Sequence, residues 1–181
     1  MRIVLIEQDL NNLATLETNL IRWGFGVSTT QDPEDALDLI EGDPGADMVI
    51  CDWATISGYN EILFKAIHEI RKSHYVYIII RSSPIAAMSG ENPDSKLVDD
   101  VVDKTMADEQ LLARITLGAR IAAMENELNQ KHLAIKRNYH QIIQLLVQLI
   151  DQFDASLMGH CRRVGTMALA NMILGLSILY I

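Results

Sequence analysis

The chain opens on a short apolar run, Ile3-Val4-Leu5-Ile6, directly after Arg2. Such a run is rich in β-branched residues and does not alternate with polar ones. It predicts a strand buried on both faces. Asp9 then stands in capping position ahead of Leu13, Leu16 and Leu20, whose spacing is helical. Trp23-Gly24-Phe25-Gly26 closes that helix, and Val27 to Thr30 reads as a second strand. Asp32-Pro33 starts a helix through Ala36, Leu37 and Ile40, and Gly42-Asp43-Pro44-Gly45 is a turn cluster. Met48-Val49-Ile50-Cys51 is a third buried strand that ends at Asp52. Asn60 to Lys72 is helical by period, Tyr75 to Ile80 is a fourth strand, and Val101-Val102 is a short fifth. Ser89 to Pro93 breaks the chain where a helix belongs. Strands that alternate with helices in this way predict an α/β fold, a five-stranded parallel sheet covered on both faces.

From Ala107 the pattern changes. Ile121, Leu128, Ile135, Ile142 and Leu149 recur every seven residues, with Leu145, Leu146 and Phe153 thickening the stripe near its end. This predicts one long helix with a coiled-coil-like seam. About 45 helical residues reach some 65 Å at 1.5 Å each, too far for one small domain to cover. The expectation is therefore a homodimer paired along this helix. The alternative is an amphipathic helix folded back on its own domain.

Composition narrows the function classes. The chain has 181 residues, and 49% of them are apolar, enough for a sizeable core. The formal charge of −9 is uneven: residues 1–100 carry 17 acidic against 7 basic side chains, a net of −10. An acidic domain of this kind argues against nucleic acid as a partner, because phosphate binding needs a basic surface. Cys51 and Cys161 match no metal spacing, and the N-terminus shows no secretory leader, which together suggest a reducing, cytoplasmic setting. Val164 to Ile181 carries no charge, yet Thr166, Asn171 and Ser177 interrupt it, and a core helix is the better reading than a membrane span.

In parallel α/β sheets, ligands collect at the C-terminal ends of the strands. Those ends carry Glu7, Gln8 and Asp9 after strand one, Asp52 after strand three, Ser82 after strand four and Lys104 after strand five. Carboxylates, a hydroxyl and an ammonium thus share one rim.

This arrangement resembles the receiver domain of bacterial two-component response regulators. The likeness covers about residues 2–118 and rests on the segments 2–9, 47–53, 75–82 and 99–104. It implies a flavodoxin-like fold and a phosphoryl group accepted on Asp52 from a partner histidine kinase. Mg²⁺ would be held by Glu7, Asp9, Asp52 and the carbonyl near Ala54, with Gln8 at the position of a second acidic residue. Lys104 would neutralise a phosphoryl oxygen, and Ser82 would hydrogen-bond to the phosphorylated form. A dication offsets charge on a transferring phosphoryl group and prefers oxygen ligands. The sequence departs from the family pattern at Gln8, which brings no charge to the metal, and also at Ile56, Asn60, Val101 and Thr105.

The end of the chain carries a second resemblance. Residues 142–154, Gly159-His-Cys-Arg-Arg-Val164 and Leu174-Gly-Leu-Ser177 look like the opening of an HD-type phosphohydrolase domain of the HD-GYP group, with His160 in place of its first metal-ligand histidine. No His-Asp doublet follows, and one imidazole is not a metal site. The organisation expected is a receiver domain over 1–118, a signalling helix over 119–155 and an incomplete HD-type start over 156–181. Three functions stay open: phosphorylation-dependent signalling, the regulatory front of a cyclic di-GMP phosphodiesterase, and a degenerate receiver that serves as an interaction module.

Overall fold

The computed structural model describes residues 1–42, 45–83, 97–153 and 165–167, with backbone only at 151–153. Its elements run β1 (Arg2–Ile6), α1 (Leu10–Arg22), β2 (Gly26–Thr30), α2 (Pro33–Glu41), β3 (Met48–Asp52), α3 (Trp53–Ile56), α4 (Asn60–Arg71), β4 (Tyr77–Ser82), β5 (Asp100–Asp103) and α5 (Asp108–Phe153). The strands form one parallel sheet in the order β2-β1-β3-β4-β5. This is the doubly wound order that places a crevice where the winding reverses, beside β1 and β3.

Local chemistry sets the element ends. The Asp9 side chain accepts from the backbone N–H groups of Asn11 and Asn12, both at 2.9 Å, and so caps α1. Gly24 ends the same helix at a φ of 89°, a conformation that a side chain would strain. Asp32 caps α2 through Glu34 N–H, with Pro33 in the first turn. The fourth strand begins at Tyr77, later than its apolar run suggests. The Tyr75 backbone is instead held by Asn126, which accepts its N–H at 2.6 Å and donates to its carbonyl at 3.0 Å.

Successive strand residues face opposite layers. Val4, Ile6, Val49, Cys51, Ile78 and Ile80 pack with residues of α2, α3 and α4. Ile3, Leu5, Met48, Ile50, Tyr77, Ile79 and Val102 pack with Leu16 and Leu20 of α1 and with Leu111, Ile115 and Ala122 of α5. Both faces of the sheet are therefore covered, as the unbroken apolar strands predict.

The long helix begins at Asp108, and its first turns belong to the α/β unit. Compact packing runs through Met1–Asn129, past the expected domain boundary at residue 118, because beyond it α5 still supplies Ala122 to the core and Asn126 to the Tyr75 backbone. Ile121 is partly buried against the same core, so the first residue of the predicted seam is not free to join it. The second unit comprises Gln130–Ile181. The chain break predicted at 89–93, the turn residues Asp43 and Pro44, and His160 with most of the HD-like segment lie outside the described residues. No helix among the described residues is long and apolar enough to cross a membrane.

Candidate functional site

Glu7 follows β1, Asp52 ends β3 and Ser82 ends β4, so the sheet itself aligns them at its C-terminal edge. In the ladder, Ile6 pairs with Cys51, Asp52 with Arg81 and Arg81 with Val102. Glu7, Asp52 and Arg81 thus occupy neighbouring positions along one row, on the side of the sheet that faces α1 and α5. Lys104 follows β5 and reaches back over that row. All four of Glu7, Asp52, Arg81 and Ser82 are buried, none more than 8% exposed.

The contacts are dominated by charge. Lys104 Nζ lies 2.7 Å from Asp52 Oδ1 and 3.3 Å from Glu7 Oε2. Those two oxygens make no directional hydrogen bond among the described residues; the ammonium holds them as a point charge does. The other Asp52 oxygen, Oδ2, accepts from the Thr55 hydroxyl at 3.0 Å. That hydroxyl in turn accepts Gln8 N–H at 3.1 Å, while Gln31 Nε2 donates to the Gln8 carbonyl at 2.8 Å. Glu7 Oε1 accepts Asp9 N–H at 3.1 Å.

Glu7, Asp52 and Lys104 are therefore brought into direct contact. Ser82 is placed beside them at the strand end. Gln8 is pinned through its backbone, with an exposed side chain, and Asp9 is exposed and engaged as a helix cap. Sequence reasoning missed Thr55 and Arg81. Thr55 stands three residues after Asp52, on a helix too short to announce itself by period. Arg81 was visible as a charge at the end of an apolar run.

The residues present fit a divalent cation poorly. Among the described residues, no three His, Cys, Asp or Glu side chains lie close enough together to hold a metal ion. Both Glu7 and Asp52 are ion-paired with Lys104, and an oxygen of Asp9 is turned to the start of α1. Gln8 adds no charge. A hard cation needs several free oxygen ligands, and this rim offers few.

Neighbouring groups show what burial does here. The Cys51 thiol is pushed up to about 12, by burial first and by the Asp52 charge second. Burial pushes the Arg81 guanidinium down from its ordinary value, against the opposing pull of Glu7 and then Asp52.

No protein-family profile matches the chain, and no curated protein sequence matches it. Solved structures do. The signal receiver domain of an HD domain-containing protein from Pseudomonas fluorescens aligns at 19% identity over 70% of this chain and 91% of its own, with a TM-score of 0.60. A response regulator receiver modulated diguanylate cyclase from Pelobacter carbinolicus aligns at 22% identity over 70% and 97%, with a TM-score of 0.53. A fusion that carries a trimeric coiled-coil segment of yeast Spc42 aligns at 16% identity over 76% and 95%, with a TM-score of 0.57. In sheet order, in helix placement and in these structural matches, the chain has the fold of the response regulator receiver domains.

Proposed function

We propose that the chain is a cytoplasmic signalling module in which Asp52 accepts a phosphoryl group and α5 carries the consequence onward. One observation supports this reading above the others: a buried carboxylate at the switch point of the sheet, with an ammonium 2.7 Å away. An Asp52 oxygen attacks phosphorus in a donor such as the phosphohistidine of a histidine kinase. The O–P bond forms, the P–N bond breaks, and the imidazole leaves with the nitrogen electron pair and takes up a proton. Lys104 offsets charge on the phosphoryl oxygens. Ser82, at the end of β4, donates a hydrogen bond to the new group and so links β4 to the modified state. The resemblance also implies Mg²⁺ as the cofactor of transfer, so the test is run with and without it.

Incubation with acetyl phosphate should label the wild-type chain, and Asp52→Asn should abolish the label. Labelling that survives in Asp52→Asn contradicts the assignment. The poor fit of the rim to a divalent cation favours a second reading, an interaction module that is never phosphorylated. A wild-type chain that stays unlabelled with every donor would support it.

We infer that the output runs through a homodimer. Leu128, Ile135, Ile142 and Leu149, seven residues apart on α5, are each about half exposed. Apolar surface of that regularity is better covered by a second helix.

A further inference from the structure

Arg81 is a member of the buried row to which the phosphoryl-acceptor reading gives no role. Its relative exposure is 8%, and its ladder partner on β3 is Asp52 itself. Nη2 donates to the Lys104 carbonyl at 3.2 Å. Nε and Nη1 are buried with no hydrogen-bond partner among the described residues. The carboxylates that act on it most strongly are Glu7 and then Asp52. A guanidinium keeps its charge even when buried, and an isolated buried charge is very costly. It is tolerated here because two carboxylates share its row.

The charge count of the row follows. Glu7 and Asp52 contribute two negative charges, and Arg81 and Lys104 contribute two positive ones. The row is neutral as it stands. Without Arg81, the buried pair Glu7 and Asp52 against Lys104 would leave one unmatched negative charge, and the exposed Asp9 at the start of α1 a second, which a dication meets. Here a dication would enter a balanced row that already holds two cations, Lys104 in contact with both carboxylates and Arg81 opposite Asp52 in the ladder. Gln8 acts in the same direction, because it removes a charge that would have drawn the metal in.

We propose that Arg81 is the built-in counter-cation of this acidic rim, and that it takes the electrostatic place of a divalent metal, so that the rim does not need or hold Mg²⁺. The inference concerns the metal alone and stands whether or not Asp52 is phosphorylated.

Titration of the full chain with MgCl₂ alone, by calorimetry and by Trp53 emission in a Trp23→Phe background, tests this directly. The wild type should show no saturable binding in the low millimolar range. Arg81→Met should gain saturable binding, and Arg81→Met combined with Gln8→Asp should bind tighter by at least about tenfold, since one unit charge near the ion is worth that much or more. Arg81→Lys, which keeps the charge, should stay metal-free. Saturable Mg²⁺ binding by the wild type at low millimolar concentration or below would overturn the proposal without any variant. So would an Arg81→Met chain that is folded by circular dichroism and binds no Mg²⁺. If Arg81→Met does not fold, Arg81→Gln replaces it under the same two criteria. Phosphorylation is not read in this experiment, so its outcome is separate from that of the Asp52 labelling.

Discussion

Cys51 shows how strongly this rim constrains its neighbours. The thiol is fully buried, its Sγ sits 3.8 Å from the Ile79 carbonyl, and its pKa is raised from 9.0 to about 12. Thiolate is the reactive form, so native Cys51 should resist iodoacetamide at pH 8 while the unfolded chain reacts. Rapid native alkylation in a Cys161→Ser background would contradict the burial. The sign of the pH effect follows from the same shift. Folded Cys51 keeps its proton where the unfolded thiol has lost it, so its contribution to stability is complete below pH 9 and falls as the pH rises toward 12. Urea unfolding at stepwise higher pH should show that decline, and Cys51→Ala should reduce it. At this scale the sequence made Glu7, Asp52, Ser82 and Lys104 legible, because each follows an apolar run that is readable as a strand. It did not reveal what Arg81 does. An arginine at a strand end reads as solvated until the ladder register sets it opposite Asp52.

Among the elements, α5 departs most from its sequence expectation. A seven-residue stripe was readable from Ile121 onward, but the stripe alone does not say where core packing stops. The structure shows that Leu111, Ile115, Ala122 and Asn126 serve the α/β unit, and that Ile121 packs against the same core. Gly118 marks a close approach of α5 to the sheet. A Cβ there would stand 2.6 Å from Tyr77 Cε1 and 2.8 Å from Met48 Cε. Gly118→Ala gains about 1 kcal/mol of helix propensity and loses about 1–3 kcal/mol to overpacking. The buried Tyr77 ring has little room to yield, so the net effect is destabilising by about 1 kcal/mol, a drop in melting temperature of roughly 4 °C. A melting temperature that is unchanged or higher would mean that α5 sits further from the sheet. The strands were the most legible elements. Their fully buried apolar runs allow little else, and errors are confined to the ends, as at Tyr75, where a side chain from distant Asn126 takes the backbone hydrogen bonds that a longer strand would have made.

At the scale of the molecule, the fold was legible because five apolar runs alternate with helical periods, and a parallel sheet is the arrangement that buries both faces of each. Association is written less directly. Leu128, Ile135, Ile142 and Leu149 leave an apolar stripe exposed, unfavourable at about 25 cal/mol per Å². Ile135→Asp combined with Ile142→Asp should convert a dimer to a monomer in light scattering with the α/β unit intact, since unpaired charges are costly in a seam. A wild-type monomer at micromolar concentration would contradict the paired helix. The central claim, however, is chemical: Asp52 forms an acyl phosphate. Borohydride reduction of the chain after exposure to acetyl phosphate converts an acyl phosphate to the corresponding alcohol, and peptide mass spectrometry locates it. The account predicts homoserine at position 52 and none in Asp52→Asn; reduction at another carboxylate, or none in the wild type with any phosphoryl donor, would contradict it.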